Sequence, residues 1–413
     1  MALAPMHHTF GPLADAKQCR EALALLCQPW RWHSSRDVDA LRCALEGALG
    51  MRAACFSTGR EALCALFQAL PLAPGDEVIV QGYTCVVVPN AIHAAGGTCI
   101  YADIDPATLG LDPDDVARKI TPKTRAVLCQ HTFGIPADTE RLRTLCDAHG
   151  LLLIEDCAHI FPDAQGPSSI VRHADAVMLS FGRDKALSGV TGGALLTRRE
   201  DLAKRLREKE SRATPLPLLT IKRLLLYPLL YTLARPLYGL WIGKALLALA
   251  QRLRLLVPIV TRAEKRGSMP ASQHALPGAC AALALAQLRR LPAINAARRA
   301  RTKQYLQACK DLGWKPLDGI TPDLPLQKFP LFLRDSAHIR QRLKQHNIHL
   351  DDGWTGCVVC PGDADAAAAG YADGSDPLAE EYCLRILSLP THPGTSAAAA
   401  ARLVRTLSPL LRQ

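Results

Sequence analysis

The sequence predicts an α/β fold in which helices cover both faces of a mainly parallel sheet. Of its 413 residues, 49% are hydrophobic but only 5% are aromatic, so Leu, Ala, Val and Ile supply most of the core. Between residues 53 and 197, short apolar runs alternate with segments of helical periodicity. Continuous apolar runs are typical of strands buried on both faces, and strands that alternate with helices favour parallel pairing.

Seven apolar runs are predicted to form this sheet. Helical patterns lie between several of them, and one example is Thr139–His149, where Leu142, Leu145 and Ala148 recur at helical spacing. Ligands of such sheets bind beyond the carboxyl ends of the strands, so functional residues are expected where the runs end. The runs are Ala53–Phe56, Glu77–Val80, Thr98–Ala102, Arg125–Cys129, Leu151–Glu155, Ala174–Leu179 and Gly193–Thr197.

The composition changes after the last run and divides the chain into five segments. Helices are predicted at Arg199–Glu210, from about Ala279, at Ala337–His346 and at Ala397–Leu411. The segments are an N-terminal segment (1–45), a large α/β domain (46–210), a basic apolar helical insert (211–265), a connecting helix (266–300) and a smaller C-terminal α+β domain (301–413).

Charge and cysteine content narrow the classes of partner and compartment. The net charge of +11 suits nucleic acid, an anionic membrane surface or anionic substrates, but no nucleic-acid-binding motif occurs, so nucleic acid is not expected. Fifteen scattered cysteines and a start without a secretory pattern favour a cytoplasmic protein with reduced thiols. The single C-x-x-C, Cys357 and Cys360, lacks further ligands at suitable spacing, so no metal site is expected.

The first predicted strand runs into a helix through Ser57-Thr58-Gly59-Arg60-Glu61. Free N–H groups and the positive end of the helix dipole make such a helix start suitable for a phosphate group. An ordinary helix cap has the same pattern, so this motif alone leaves both interpretations open.

A second motif, Glu155-Asp156-Cys157-Ala158-His159, places a carboxylate at the end of a buried strand. A carboxylate there can keep the nitrogen of a pyridine cofactor protonated, which makes the ring an electron sink. The alternative is an aspartate that caps a following helix.

A third motif combines a hydroxyl group and a lysine after the next predicted strand. Ser180 ends that strand, Lys185 follows five residues later, and a Gly-rich turn comes next. A lysine whose environment lowers its pKa is a nucleophile toward aldehydes, whereas most loop lysines are simply solvated.

The order and spacing of the three motifs resemble the DegT/DnrJ-type sugar aminotransferases, a family of fold-type I enzymes that use pyridoxal 5'-phosphate. The resemblance runs from about Asp37 to Leu411, apart from the apolar insert. It implies a fold-type I large domain, a smaller C-terminal domain and a homodimer. Further matching segments are Pro74–Ile79, Asp103–Pro106, Ile120–Arg125, His131–Asp138 and Leu387–Pro393.

The resemblance also implies roles for individual residues. Lys185 matches the lysine that binds the cofactor covalently and moves a proton during the reaction. Asp156 matches the partner of the pyridine nitrogen, and His159 matches a position packed against the cofactor ring. The phosphate cradle matches Ser180 and the backbone N–H groups of Gly59 and Arg60.

Two positions depart from the family pattern. Where an aromatic side chain usually covers the cofactor, this chain has Cys85, so Tyr83 is the alternative source of a ring. The family also places an asparagine from the partner subunit near the phosphate, and the corresponding region holds His274 instead. Candidates for substrate contact are Arg183, His131 and His274.

The insert contains an unusually apolar and basic stretch, Pro215–Val260. Its longest charge-free stretch has eleven residues, fewer than the ~20 needed to span a bilayer, and Pro228 and Pro236 are predicted to divide it into short helices. Cations without acidic residues favour an element that lies on an anionic membrane surface, at the inner face of the cytoplasmic membrane. The alternative is an arm buried against the partner subunit. The cations are Lys222, Arg223, Arg235, Lys244, Arg252 and Arg254.

The function expected from these features is transfer of an amino group from glutamate or glutamine to a keto group. The acceptor implied by the resemblance is a nucleotide-linked keto-sugar used for cell-surface polysaccharide or glycolipid. Retention of Lys185, which some relatives replace by histidine to become dehydratases, favours transamination. The alternatives are a lipid-linked or amphiphilic carbonyl substrate at the membrane surface and an inactive regulator that binds the cofactor.

Overall fold

A seven-stranded sheet forms the centre of the protein in the computed structural model, which describes residues 5–7, 13–163 and 169–411. The strands of the protein are, in chain order, β1 (Met6–His7), β2 (Arg52–Phe56), β3 (Glu77–Gln81), β4 (Thr84–Cys85), β5 (Thr98–Ala102), β6 (Thr124–Gln130), β7 (Leu152–Asp156), β8 (Ala176–Ser180), β9 (Gly193–Thr197), β10 (Lys328–Phe332), β11 (Ile348–His349), β12 (Val359–Cys360) and β13 (Ile386–Pro390).

The large sheet has the strand order β2-β9-β8-β7-β6-β3-β5. Strand β9 is antiparallel to both of its neighbours, and the remaining pairs are parallel. Each of the seven predicted runs is a strand of this sheet, and the predicted mainly parallel α/β architecture is confirmed. The strand ends of β7 and β8 therefore lie side by side at the carboxyl edge.

Helices cover both faces of the sheet. Those of the chain are α1 (Ala16–Leu26), α2 (Ser35–Leu49), α3 (Gly59–Ala69), α4 (Val87–Ala94), α5 (Pro113–Lys119), α6 (Thr139–His149), α7 (Glu200–Ser211), α8 (Leu218–Ala234), α9 (Ile242–Arg252), α10 (Gly278–Leu288), α11 (Leu291–Leu312), α12 (Ser336–Gln345), α13 (Pro377–Arg385) and α14 (Ala397–Leu410). Three of the expected segment boundaries, 45/46, 210/211 and 300/301, lie within α2, α7 and α11.

Successive residues of a strand contribute their side chains to two separate hydrophobic cores. Leu196 and Val177 pack with α2, α8 and α10, whereas their neighbours Leu195 and Met178 pack with α3 and α7. This alternation follows from the two-residue period of a strand, which sends successive side chains to opposite faces of the sheet. Burial on both faces explains why these strands read as continuous apolar runs.

The C-terminal part of the chain is built around β10 and β13, an antiparallel pair with helices α11 to α14 beside it. Two short pairings connect it to the rest of the protein. Strand β11 pairs with β1, and β12 pairs with β4 in a register that sets Cys360 opposite Cys85. The C-terminal part therefore reaches the loop that follows β3.

The insert differs from its predicted form, because Pro228 does not end a helix. Helix α8 continues through Pro228 to Ala234, and only Pro236 lies beyond its end. A proline inside a helix removes one hydrogen bond and costs about 3 kcal/mol. Burial of a continuous apolar face outweighs that cost, and the Cys19 thiol on α1 adds a hydrogen bond to the Pro228 carbonyl (3.4 Å). The buried face comprises Ile221, Leu224, Leu225 and Tyr227.

The two faces of the insert have different surroundings. Nine of the twelve large hydrophobic side chains that are exposed in the described residues belong to it, among them Trp241, Ile242, Leu249 and Leu253. In the ranges that the structure describes, no helix combines the length and hydropathy that crossing a membrane requires.

A substitution at Gly193 tests how closely β9 approaches the start of α3. A Cβ atom at Gly193 would lie 2.5 Å from both Gly59 Cα and Gly59 N, and backbone cannot yield as a flexible side chain can. We expect Gly193→Ala to lower the free energy of unfolding by about 2 kcal/mol or more, measured by urea denaturation. Gly47→Ala is the control, because nothing lies within 4 Å of its added Cβ and alanine favours the surrounding helix. Equal stabilities of the two variants would contradict the close approach.

Candidate active site

The three motifs meet at the carboxyl edge of the sheet. Asp156 is the last residue of β7, and Ser180 is the last residue of its parallel neighbour β8. Helix α3 begins at Gly59 directly after β2, where Thr58 caps it by accepting a hydrogen bond from Glu61 N–H (3.2 Å). The sheet order thus brings together residues that are more than a hundred positions apart in sequence.

Gly59 and Ser180 form a narrow cradle at the start of α3. A Cβ atom at Gly59 would lie 3.1 Å from Ser180 Oγ, so only glycine leaves this space open. The Arg60 guanidinium points away, since it binds the Glu264 carboxylate and the Ile259 carbonyl. The free N–H groups at the helix start and the Ser180 hydroxyl are the donors that a phosphate group requires.

The Asp156 side chain is 2% exposed. Its Oδ1 atom accepts a hydrogen bond from Ala158 N–H (2.8 Å), and residues 157–163 form turns and loop without a helix, so Asp156 does not cap one. Burial raises the pKa of this carboxyl group, while the Ala158 N–H, Lys185 and His131 oppose the shift. A cationic partner for the carboxylate would offset its desolvation.

Lys185 lies in the turn after β8, and its Nζ is 3.4 Å from His159 Nε2. The other ring nitrogen, Nδ1, accepts a hydrogen bond from Phe133 N–H (3.2 Å). The ring proton therefore sits on Nε2, on the side of Lys185 Nζ.

His159 is enclosed by aromatic rings. Phe133 lies parallel to it, with ring centroids 5.8 Å apart and an interplanar angle of 10°, and Trp354 meets it edge-on at 4.8 Å. Burial, followed by the positive charges of Lys185 and Lys328, keeps the pKa of His159 well below its usual value. The imidazole is thus neutral in the folded protein at neutral pH.

Tyr83 and Cys85 occupy different surroundings. Tyr83 is fully buried, donates its hydroxyl hydrogen to the Trp354 carbonyl, and meets the rings of Phe133 and Trp354 edge-on. Cys85 is half-buried, and although burial raises its pKa, the charge of Lys185 opposes that shift. Of the two residues, Cys85 is therefore the one whose electrostatic surroundings include Lys185.

The three candidate substrate contacts are engaged elsewhere. Arg183 lies over the Tyr227 ring, and His274 Nδ1 is 2.8 Å from Glu61 Oε1. His131 is fully buried, accepts a hydrogen bond from Ala137 N–H at Nδ1, and places Nε2 3.0 Å from Glu155 Oε2. None of these three side chains enters the function proposed below.

His131 and Glu155 also belong to a buried group with Cys157, in which one potential ligand atom from each residue lies within 4.8 Å of the others. The backbone N–H of Val171 donates to the same Glu155 Oε2 that faces His131. These hydrogen bonds account for the cluster as a set of buried polar groups that stabilises the backbone beside Asp156.

Several site residues were not anticipated from the sequence. Lys328 is buried with Asp352, their charged atoms 3.1 Å apart, and its Nζ lies 5.3 Å from the Phe133 ring centroid. Trp354 reaches His159 from the C-terminal part. Phe133 lies within the matching segment His131–Asp138, but no local sequence signal indicates its positive φ of 56° or the hydrogen bond from its N–H to His159.

The fold and the site identify the class of protein. The sequence model of the DegT/DnrJ/EryC1/StrS aminotransferase family matches residues 15–214 and 248–408, so the chain belongs to this family. The match leaves out residues 215–247, which contain α8 and the start of α9.

Curated relatives match part of the chain. It is 36% identical over 169 residues to GDP-perosamine synthase of Vibrio cholerae, covering 40% of this chain and 46% of that protein. It is 38% identical over 152 residues to 3-oxo-glucose-6-phosphate:glutamate aminotransferase of Bacillus subtilis, covering 36% and 33%. These alignments span less than half of either relative.

Solved structures match nearly the whole chain. NtdA of Bacillus subtilis, solved with bound PMP, has a TM-score of 0.77 at 21% identity and covers 100% of this chain and 86% of that one. DesI, solved with its TDP-sugar product, has a TM-score of 0.71 at 24% identity and covers 97% and 91%. At these identities the likeness establishes the aminotransferase fold.

The low pKa of His159 predicts how stability depends on pH. Because the folded pKa lies below the unfolded value of 6.5, the unfolded chain takes up a proton that the folded chain does not as pH falls below about 6.5. Relative to His159→Gln, the cofactor-free protein should lose up to roughly 1.4 kcal/mol of unfolding free energy per pH unit there.

Urea denaturation at pH 7.5, 6.5 and 5.5 measures this difference. The exposed His33 provides the control variant His33→Gln, which should follow the wild type at every pH. A difference between the wild type and His159→Gln that does not change with pH would contradict a buried, neutral His159.

Proposed function

We propose that this protein is a pyridoxal 5'-phosphate-dependent aminotransferase that moves an amino group from glutamate or glutamine to the keto group of a sugar. The observation that carries the proposal is the contact of 3.4 Å between Lys185 Nζ and His159 Nε2, beside the buried Asp156 carboxylate. Membership of the aminotransferase family supports the same chemistry.

The residues present fit this cofactor. Lys185 would bind it covalently, Asp156 would pair with its ring nitrogen, and His159 would pack against its ring. The cradle of Gly59 and Ser180, which a Cβ atom would fill, would hold its phosphate. When bound, the cofactor stores the electrons of the carbon that loses its proton.

The side chains of the site divide the remaining work. In each half of the reaction Lys185 Nζ removes a proton from one carbon and delivers it to another, which requires the lysine to alternate between amine and ammonium. His159 stays neutral, so it does not add a competing charge beside the amine. The hydrogen bond from Ala158 N–H fixes the orientation of the Asp156 carboxylate. Burial of this carboxylate excludes water from the ring nitrogen that would pair with it.

The acceptor is proposed to be a nucleotide-linked keto-sugar destined for cell-surface polysaccharide or glycolipid. The similarity to GDP-perosamine synthase and 3-oxo-glucose-6-phosphate:glutamate aminotransferase, and to DesI with its TDP-sugar product, supports a sugar acceptor. The net charge of +11 is compatible with an anionic, phosphate-bearing substrate.

A second candidate acceptor is a lipid-linked or amphiphilic carbonyl compound. The exposed apolar side chains of the insert, next to cations and without acidic residues, favour it. We further propose a homodimer in the cytoplasm that rests on the inner face of the membrane through residues 215–260. The third candidate is a regulator that binds the cofactor without turnover.

The visible spectrum of the purified protein tests the cofactor and the first half-reaction together. We expect an absorption band of lysine-bound cofactor that bleaches when excess glutamate is added. Lys185→Ala should lack this band, and Asp156→Asn should slow the bleaching roughly a hundredfold by removing the charge that stabilises the protonated ring.

A band that no amine donor discharges would favour the regulator. No band in the wild type after addition of pyridoxal 5'-phosphate would contradict the proposed cofactor. Cys43→Ala serves as a control, since it removes an exposed cysteine on α2 and should retain the band.

Vesicle sedimentation tests the membrane contact of the insert. The protein should sediment with phosphatidylglycerol vesicles but not with phosphatidylcholine vesicles. A triple variant with Ile242→Ser, Leu249→Ser and Leu253→Ser should not bind, because these exposed side chains recur along one face of α9 and its C-cap. The control is Leu23→Ser with Leu384→Ser, which removes exposed apolar side chains outside the insert.

Mass measurement in solution separates the membrane from a partner subunit. If the triple variant turned a dimer into a monomer while the wild type ignored both kinds of vesicle, the insert would be an arm of the dimer.

A further inference from the structure

The insert contacts the turn that carries Lys185. Arg183, two residues before the lysine, places its guanidinium carbon 4.3 Å from the ring centroid of Tyr227 on α8. Its Nη2 atom donates a hydrogen bond to the Val257 carbonyl (2.5 Å), on the chain that follows α9. Tyr227 belongs to the segment that the family match leaves out.

Arg183 is 8% exposed, and within the described residues no carboxylate lies at ion-pair distance from it. A buried guanidinium without such a partner is costly unless other groups replace its water. The face of an aromatic ring and a backbone carbonyl are groups that can do so. Tyr227, whose ring is tilted by 42° against that of Tyr231 with the centroids 4.3 Å apart, supplies that ring.

The turn has a conformation that its own sequence does not favour. Val190 adopts a φ of 70°, which is strained for a β-branched residue, and Gly192 follows with a φ of 128°. Strained backbone persists where surrounding structure holds it in place. Here Phe181, Leu187 and Val190 share one hydrophobic core with the inner face of α8.

Helix α1 provides a second connection between the turn and the insert. Gln18 donates a hydrogen bond to the Ser188 carbonyl (3.2 Å), and the adjacent Cys19 thiol lies 3.0 Å from Thr232 Oγ1 on α8. The Lys185 turn is therefore held on one side by the sheet and on the other by α1 and α8.

We propose that Arg183 is a positioning residue, which acts through Tyr227 of the insert to hold the Lys185 turn in the conformation that receives the cofactor. The buried face of the insert thereby contributes to the site, and this contribution does not depend on what covers its exposed face. The inference rests on the proposed role of Lys185 as the lysine that binds the cofactor.

Hydrogen–deuterium exchange of the cofactor-free protein gives a readout that does not depend on activity. Gly189 N–H donates to Phe181 O (2.9 Å) and Lys185 N–H to Gly182 O (3.3 Å), so peptides spanning 182–192 report on the turn. Tyr227→Leu should speed exchange there roughly tenfold, because leucine keeps apolar volume but offers no ring face to the guanidinium. Tyr227→Phe should restore the wild-type rate.

The chain contains a matched control for loss of a cation–π contact. Lys244 Nζ lies 4.1 Å from the Trp241 ring centroid, also within the insert, but Trp241 is 73% exposed and lies outside the core that holds the turn. Trp241→Leu should leave exchange in 182–192 unchanged. Arg183→Met removes the guanidinium while keeping the apolar stem, so it should show the same faster exchange, and it replaces Tyr227→Leu if that variant folds poorly.

Borohydride trapping of pyridoxal 5'-phosphate on Lys185, followed by mass spectrometry, gives the second readout. Tyr227→Leu and Arg183→Met should trap the cofactor more slowly than the wild type and Trp241→Leu. Wild-type exchange and trapping in both variants would overturn the inference while leaving the proposed function intact. Failure of the wild type itself to trap cofactor would instead contradict the proposed function, and the exchange result would still test whether Arg183 and Tyr227 hold the turn.

Discussion

The parallel pairing of β7 with β8 is the constraint on which the candidate site depends. Asp156 pairs with Met178 in this register, so Ser180 extends just beyond it at the same edge of the sheet. Cys157 N–H continues the pairing by donating to the Met178 carbonyl (2.9 Å). A register shift by one residue would turn each side chain to the opposite face, and it would separate the carboxylate from the turn that carries Lys185.

Burial then shifts the pKa values of two neighbouring groups in opposite directions. It raises the pKa of Asp156 and lowers that of His159, because a low-dielectric environment disfavours the charged form of each. A cationic ring nitrogen would offset the penalty at Asp156, whereas His159 is already stable as a neutral ring. The backbone N–H of Phe133 fixes the tautomer of His159, so a residue with positive φ in the 3-10 helix that follows β6 determines where the imidazole proton lies.

The insert combines two physical roles in one segment. Its inner face joins the core beneath the Lys185 turn, while its outer face exposes Trp241, Ile242 and other apolar side chains beside cations. The family match covers the chain on both sides of residues 215–247. The insert thus interrupts the part of the chain that matches the family. It supports the turn that carries Lys185 and exposes apolar side chains beside cations.

Periodicity and spacing in the sequence determined the seven strands and the helices α6, α7, α10, α12 and α14. Strands buried on both faces leave a continuous apolar run, so the strand ends at Asp156 and Ser180 could be located from the sequence, whereas the roles of these residues and of Lys185 were implied by the resemblance to the family. The helix predicted at Thr139–His149 from the spacing of Leu142, Leu145 and Ala148 has these ends in the structure, where Asp138 caps its start and a glycine follows its end.

Only the tertiary structure decided what surrounds these residues. Trp354 and Lys328, from the C-terminal part, lie close to His159. The Tyr83 hydroxyl donates to the Trp354 carbonyl, which turns this side chain away from the cofactor, and Arg183 packs against the Tyr227 ring. Helix α8 passes through Pro228 because its buried face outweighs a local preference to break. Such contacts depend on side-chain packing between distant segments, and packing of that kind leaves no periodic or neighbouring signal in the chain.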